Sequence, residues 1–205
     1  MLLPDRNISP LRKRVGLFGG TFNPLHNAHI AVAERALTQF ELAKVIFIPS
    51  GRPPHKETIE GVIARYRYEM VRRALIGHPH FEVSRVEIDR EGPSYTIDTI
   101  KSMKELYPQG VCFIVGADLL RKIETWKDPE DLITSCPFIL VPRNGIKKEE
   151  FERPLFSRGE LYFLDIEEME LSSSMVRDTY QETESIDGLV PETVAAYIEE
   201  KDLYR

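Results

Sequence analysis

Two histidines three residues apart, just behind a pair of glycines, are the side chains in this sequence best suited to chemistry. They lie in VGLFGGTFNPLHNAHIAVAE, residues 15–34. The apolar run before Gly19 and Gly20 reads as a buried strand. The missing side chains let the backbone turn sharply and let amide groups approach a phosphate closely. Thr21 adds a hydroxyl donor. His26 and His29 share one face at the start of a predicted helix, near the positive end of its dipole. Backbone amides, a helix N-terminus and two imidazoles together suit a polyphosphate whose charge grows during transfer. Taken singly, Gly-Gly is also a tight turn, and lone histidines are usually surface or capping residues. The stretch matches neither GxxxxGK[ST] nor GxGxxG, the two familiar glycine-rich phosphate loops.

Four further segments carry candidate chemistry. LSSSMVRDTY, residues 171–180, places serines where they cap a helix, and Arg177 shares a helical face with Ser173 four residues earlier. An arginine fork binds phosphate bidentately at any relevant pH. IPSGRPPHK, residues 48–56, sets His55 and Lys56 on a proline-stiffened loop where cations can receive a phosphate. GPSYTIDT, residues 92–99, opens a helix with Tyr95 and Thr96, whose hydroxyl can bond a carboxylate or amide. FIVGADLLRKIETWKD, residues 113–128, ends a buried strand at Gly116 and Asp118 and contains the sole tryptophan, Trp126. Such a tryptophan either packs in the core or stacks on a flat ring at a site mouth.

These segments need a scaffold, and the periodicity supplies one. Short β-branched runs (RVGLFG, AKVIFIPS, FEVSRVEI, VCFIVG, PFILVP, ELYFLDI) alternate with amphipathic stretches, the order that builds a parallel sheet covered by helices. The pattern predicts a Rossmann-like, doubly wound α/β fold, with ligands at the carboxyl ends of the strands where strand order reverses. Ile30, Ala33, Leu37 and Phe40 form the expected apolar stripe of the first helix, with Glu34, Arg35 and Gln39 facing water. Ile63, Tyr66, Met70 and Ala74 form that of a second, within residues 61–77. A third helix is expected at 95–107, and a last one with Pro191 in its first turn. No linker or repeat divides the 205 residues, so residues 1–205 read as one domain. Its phosphate motifs lie near 16–29 and 171–177, and the remaining candidates at 49–56 and 92–126.

Composition sets limits on partners. With 42% hydrophobic and 29% charged residues the chain is typical of soluble globular proteins. The formal charge of −6 argues against broad binding to nucleic acid or an anionic membrane. That charge is uneven: residues 1–90 hold 14 basic against 9 acidic side chains, and the remainder 13 against 24. Two cysteines, Cys112 and Cys136, give no metal or disulfide pattern, and no leader or membrane-length apolar run is present, so a reducing cytoplasmic setting is expected. Self-association is left open, as is the role of the acidic segment 182–205, for which a solvated helix is the simplest reading.

The string from Gly19 to His29 resembles the GGTFDPxHxGH pattern of the HxGH nucleotidyltransferase superfamily, and LSSSMVR is similar to its ISSTxIR motif. Asn23 stands where the pattern commonly has Asp. Ala28 replaces the glycine between the histidines, adding a methyl that can tighten or displace ATP. PPHK, SYTxDT and GADxL…W resemble the nicotinate-nucleotide adenylyltransferases, and the likeness runs over residues 15–178. It implies AMP transfer from ATP to nicotinate mononucleotide, giving deamido-NAD and pyrophosphate. By this resemblance Gly19, Gly20, Thr21, Phe22, Gly116, Asp118 and Ser173 hold ATP, with Asp118 on a ribose, and His26, His29 and Arg177 are catalytic. Lys56, Tyr95, Thr96 and Trp126 hold the mononucleotide. Mg²⁺ arrives on the ATP, with no metal site of the protein's own. A nicotinamide-preferring enzyme and a non-catalytic nucleotide sensor on the same fold are the alternatives.

Overall fold

The computed structural model describes residues 9–52 and 62–205. Six parallel strands form one sheet in the order β3-β2-β1-β4-β5-β6: β1 Val15–Gly20, β2 Lys44–Pro49, β3 Phe81–Val83, β4 Val111–Gly116, β5 Phe138–Val141 and β6 Leu161–Phe163. The strands are near-continuous apolar runs because both faces of the sheet are covered. Phe18, Phe47, Ile114 and Ile139 pack on one face against helices α1 Asn27–Gln39, α2 Ala64–Ala74, α6 Ser173–Thr183 and α7 Glu192–Glu200. Leu17, Ile46, Phe113 and Leu140 pack on the other against α3 Thr96–Leu106 and α5 Pro129–Ser135. Each such side chain, fully buried, contributes about 1.5–3 kcal/mol. The expected doubly wound arrangement is therefore the one observed. Strand order reverses between β1 and β4, opening a crevice at their carboxyl ends.

Several local expectations need correction. The strand expected over 81–88 stops at Val83, because the Ser84 hydroxyl accepts the Val86 amide and the chain turns, with the Asp89 amide bonding the Arg85 carbonyl. The expected stripe of α1 does face the core, Ala33 and Phe40 buried and Ile30 and Leu37 partly buried, but it is wider, with Ala28, Val32 and Ala36 buried as well. Arg35 and Gln39, expected in water, instead bond the segment 163–165. In α2 the buried residues are Arg67, Met70, Val71 and Ala74, and Ile63 is exposed. Pro191 is the N-cap of α7, its carbonyl accepting from Val194 and Ala195, so it precedes the first turn.

The acidic segment after residue 182 is part of the core, with Ile186, Val190, Val194, Tyr197, Ile198 and Leu203 buried. The helix α7 docks on α2, where Arg73 lies over the Tyr197 ring at 4.3 Å, bonds Glu200 at 3.2 Å, and gives its carbonyl to the Thr193 hydroxyl. Its acidic residues face outward while its apolar residues hold α2.

Just past β2, Gly51 lies against the backbone of Glu87. A Cβ there would collide with the Glu87 carbonyl and lie 2.9 Å from Ser94 Oγ. Gly51→Ala is therefore expected to lower unfolding stability by about 1–3 kcal/mol, the usual cost of overpacking. Chemical denaturation measures this, and an unchanged midpoint would show that the two loops yield freely.

Candidate active site

The loop between β1 and α1 is built by packing before it can act on a ligand. A Cβ on Gly19 would lie 2.8 Å from the Phe113 ring, and one on Gly20 would lie 2.8 Å from the ring of Phe22. The two glycines thus leave room for aromatic rings beneath as well as for an anion above. Phe22 has φ +49 and turns its ring into the core, edge-on to Phe18 and His29. Only its backbone is left to face a ligand. The Asn23–Pro24 peptide is cis, and Asn23 is 2% exposed.

Side chains from two helices hold this loop by its carbonyl oxygens. Arg67 of α2 donates to Thr21 O at 2.8 Å, Ser50 O at 2.6 Å and Gly51 O at 3.4 Å, tying the ends of β1 and β2 together. Ser173 donates to Pro24 O at 2.9 Å, and Arg177 donates to Asn23 O at 2.7 Å. Ser172 is the residue that caps α6, accepting from the Met175 amide, so Ser173 is free to bond the loop. Ser173 and Arg177 reach the loop from outside and line neither of the two cavities described next.

The histidines sit at the end of the loop. His26 is the N-cap residue of α1 and is 2% exposed. Its ring stacks on His29 with centroids 3.7 Å apart, and His29 Nδ1 accepts the His26 backbone N–H at 3.2 Å. That bond places the His29 proton on Nε2. His26 Nδ1 is buried and unpartnered among the described residues. Burial, then the Arg143 guanidinium, holds the His26 pKa down to about 4. His29 is held well below the usual range by burial, by His26 and by Arg143. Both rings are neutral hydrogen-bonding groups at pH 7.

Two cavities flank the loop. The smaller, about 500 Å³, is lined by Phe18, His26, Ala28, Val32, Gly116 and Arg143 among others. The larger, about 960 Å³ and open to solvent, is lined by Gly19, Gly20, Thr21, Tyr95, Thr96 and Trp126, with Glu87, Ser94 and Lys127. Trp126 both packs on the core and borders this cavity. Tyr95 and Thr96 stand at the N-terminus of α3, so the positive end of that helix faces the space. Lys127 pairs with Asp98 at 3.0 Å and lies over the Tyr95 ring at 4.8 Å. Asp118 sits on the short α4 (Ala117–Leu120), between the cavity-lining residues Gly116 and Leu119, and its Oδ1 is buried and unpartnered among the described residues. Lys56 and His55 lie outside the described residues.

Arg67, Glu87 and Arg143 are site residues that the sequence reading missed. Arg67 was legible as a charge three and four residues before the buried Met70 and Val71, on the apolar face of α2. Arg143 follows β5 at its carboxyl end, the rim where ligands collect. Glu87 was hidden because residues 81–88 alternate like a strand. Burial pushes its carboxyl up, against bonds from Thr99, the Gly51 amide and Ser94.

Comparison with known proteins follows the same lines. Residues 17–179 match the cytidylyltransferase-like family. A probable nicotinate-nucleotide adenylyltransferase of Moorella thermoacetica is 42% identical, covering 94% of this chain and 92% of that protein. The nicotinate-nucleotide adenylyltransferase of Bacillus subtilis is 38% identical, covering 94% and 98%. Among solved structures, a Plasmodium falciparum nicotinic acid mononucleotide adenylyltransferase complexed with NaAD superposes with a TM-score of 0.77 at 20% identity, covering 94% and 98%. That last likeness bears on the fold.

The His26 pKa has a stability consequence. Its folded value, about 4, lies below the ordinary 6.5, so between these pH values the unfolded chain binds the proton first. Stability present above pH 6.5 is lost as pH falls toward 4. From pH 7 to 5 the wild type is expected to lose about 2 kcal/mol more than His26→Gln, measured by urea midpoints at both pH values. Equal losses would show that His26 is solvated in the folded state.

Proposed function

The chain belongs to the cytidylyltransferase-like family, and from that premise we propose that it transfers AMP from ATP to nicotinate mononucleotide, giving deamido-NAD and pyrophosphate. One observation carries the proposal: two cavities lie on opposite sides of the Gly19–His26 loop, at the crevice where strand order reverses. A mononucleotide phosphate in the larger cavity and the triphosphate beside the smaller one would meet over that loop.

In the reaction a phosphate oxygen of the mononucleotide attacks the α-phosphorus of ATP, a P–O bond forms, and the bond to the β-phosphate oxygen breaks to release pyrophosphate. The nucleophile is already anionic, so the protein needs no general base. Alignment and charge stabilisation supply the rate. We assign His26 and His29 to donate to phosphate oxygens, supported by the unpartnered His26 Nδ1 and by the His29 tautomer, which carries its proton on Nε2. Arriving anionic phosphate favours their charged forms, so they gain strength as charge develops. The backbone of Gly19, Gly20, Thr21 and Phe22 would receive phosphate oxygens, and Arg143 adds charge from β5. Arg177 and Ser173 act on the same loop by holding its carbonyls.

Gly116 would lie against the ATP, and Asp118, with a buried unpartnered oxygen, suits a ribose hydroxyl. Trp126 would stack the pyridine ring, while Thr96 and the α3 N-terminus meet its carboxylate, with Lys127 adding charge. Lys56 is assigned to the mononucleotide on its motif alone. Among the described residues no group of three or more His, Cys, Asp or Glu could hold a metal ion. Mg²⁺ in this scheme enters bound to the triphosphate, as part of the substrate. Site residues from Gly19 to Arg177 make nearly the whole chain one functional unit.

Pyrophosphate release with ATP plus nicotinate mononucleotide tests the reaction, and a faster rate with nicotinamide mononucleotide would overturn the substrate. His26→Ala and His29→Ala are each expected to lower kcat on the order of 10²–10³-fold in a folded protein, the effect of losing one donor to developing charge. Near-wild-type turnover in either would remove it from the catalytic set. Trp126→Ala is expected to raise KM for the mononucleotide about tenfold while KM for ATP stays within about twofold, since stacking on an aromatic contributes roughly 1–3 kcal/mol. Equal rises in both would mean the ring only packs.

A further inference from the structure

The turn after α7 reaches back into the site. The Tyr204 hydroxyl donates to Asn23 Oδ1 at 2.6 Å and lies 3.8 Å from Met70 Sδ. Tyr204 is itself anchored. Leu203 beside it is buried and its amide bonds Ile198 O, while the Tyr204 carbonyl accepts from Gln181 of α6 at 3.3 Å. Arg67 and Arg177, the two arginines that hold the loop carbonyls, both act on the Tyr204 hydroxyl electrostatically. Burial outweighs them and keeps the phenol protonated, a donor at any working pH.

Asn23 is where this contact matters. Its side chain is 2% exposed, and its Nδ2 is buried without a partner among the described residues. Every other bond to residues 21–24 described above is made to a backbone carbonyl. The Tyr204 hydroxyl instead bonds a loop side chain, that of Asn23. Without it both polar ends of a buried amide lack partners, and the loop is driven to turn Asn23 toward water. His26 is three residues further along the same loop.

We propose that Tyr204 is a positioning residue for the adenylyl transfer: its bond to Asn23 sets the 21–26 loop at the height where the His26 ring meets the phosphate. The proposal rests on the reaction proposed above. Tyr204 touches no substrate, so its loss misaligns the reacting groups without removing a binding contact.

The test is steady-state pyrophosphate release by the full chain. Tyr204→Phe removes only the hydroxyl and is expected to lower kcat about tenfold, as sub-ångström misplacement does, with KM for ATP and for the mononucleotide within about twofold. Circular dichroism confirms that the variant is folded at the assay temperature. Asn23→Ala breaks the same bond from the loop side and is expected to show the same split. The double variant should lose no more than the worse single variant, because one interaction is removed twice. If Tyr204→Phe melts below the assay temperature, Asn23→Ala carries the test alone. A wild-type kcat in a folded variant, a loss confined to KM, or losses that multiply in the double variant would overturn the proposal. A wild-type chain that releases no pyrophosphate would overturn the reaction instead, so the two failures are distinguishable.

Discussion

Two arginines bonded to backbone carbonyls fix the part of this protein on which the rest depends. Arg67 takes the carbonyls of Thr21 and Ser50, and Arg177 takes that of Asn23. A hydrogen bond from a charged donor contributes roughly 1.5–3 kcal/mol, more than a neutral one. The gain at Arg67 is offset by burial, which lowers its pKa and makes its charge expensive to keep there. The chain accepts that cost where it does the most geometric work. The Thr21 carbonyl, drawn toward the Arg67 guanidinium, leaves the Phe22 amide of the same planar peptide pointing the opposite way. A loop with its oxygens held behind it is preorganised for an anion in front.

The fold decides where such a loop can act. Because β1 and β4 are neighbours and the chain leaves them toward opposite edges, their carboxyl ends form a crevice. The loop after β1 becomes a wall between two cavities, and the residues after β4 form the facing side. Helices on each face fill separate roles. The α2, α6 and α7 side steadies the loop through Arg67, Arg177 and Tyr204, whereas α3 turns its N-terminus to the larger cavity. The neutral histidines complete the arrangement. Buried imidazoles that are uncharged before an anion arrives avoid the cost of an unpaired buried charge.

Much of this was legible in the sequence, and the pattern of what was not is physical. The four central strands read correctly because β-branched apolar runs are unambiguous when both sheet faces are buried, whereas the edge strands β3 and β6 are shorter than their apolar runs suggest. Gly19, Gly20, Thr21 and the two histidines were legible as one cluster because their placement is local, set by spacing within one loop and helix start. Ser173 and Arg177 were found by motif, but their contacts with the carbonyls of residues 23 and 24 connect residues about 150 positions apart. No local periodicity reports that. Arg67 was not singled out, because the carbonyls it serves lie on loops 16 to 46 residues away in sequence. Tyr204 lay in a segment read as solvent-facing, because a helix rich in glutamate reads as acidic even when its apolar face is buried against α2.

The proposed reaction requires that the β1–α1 loop divide two substrate cavities and receive the phosphates between them. A crystal structure of the protein with deamido-NAD bound tests it most directly. The prediction is the pyridine ring in the cavity of Thr96 and Trp126, the adenylyl group in the cavity of Phe18, Val32 and Arg143, and the diphosphate over Gly19–Thr21 within hydrogen-bonding reach of His26. A dinucleotide bound with its ends reversed, or with its diphosphate away from the loop, would contradict it.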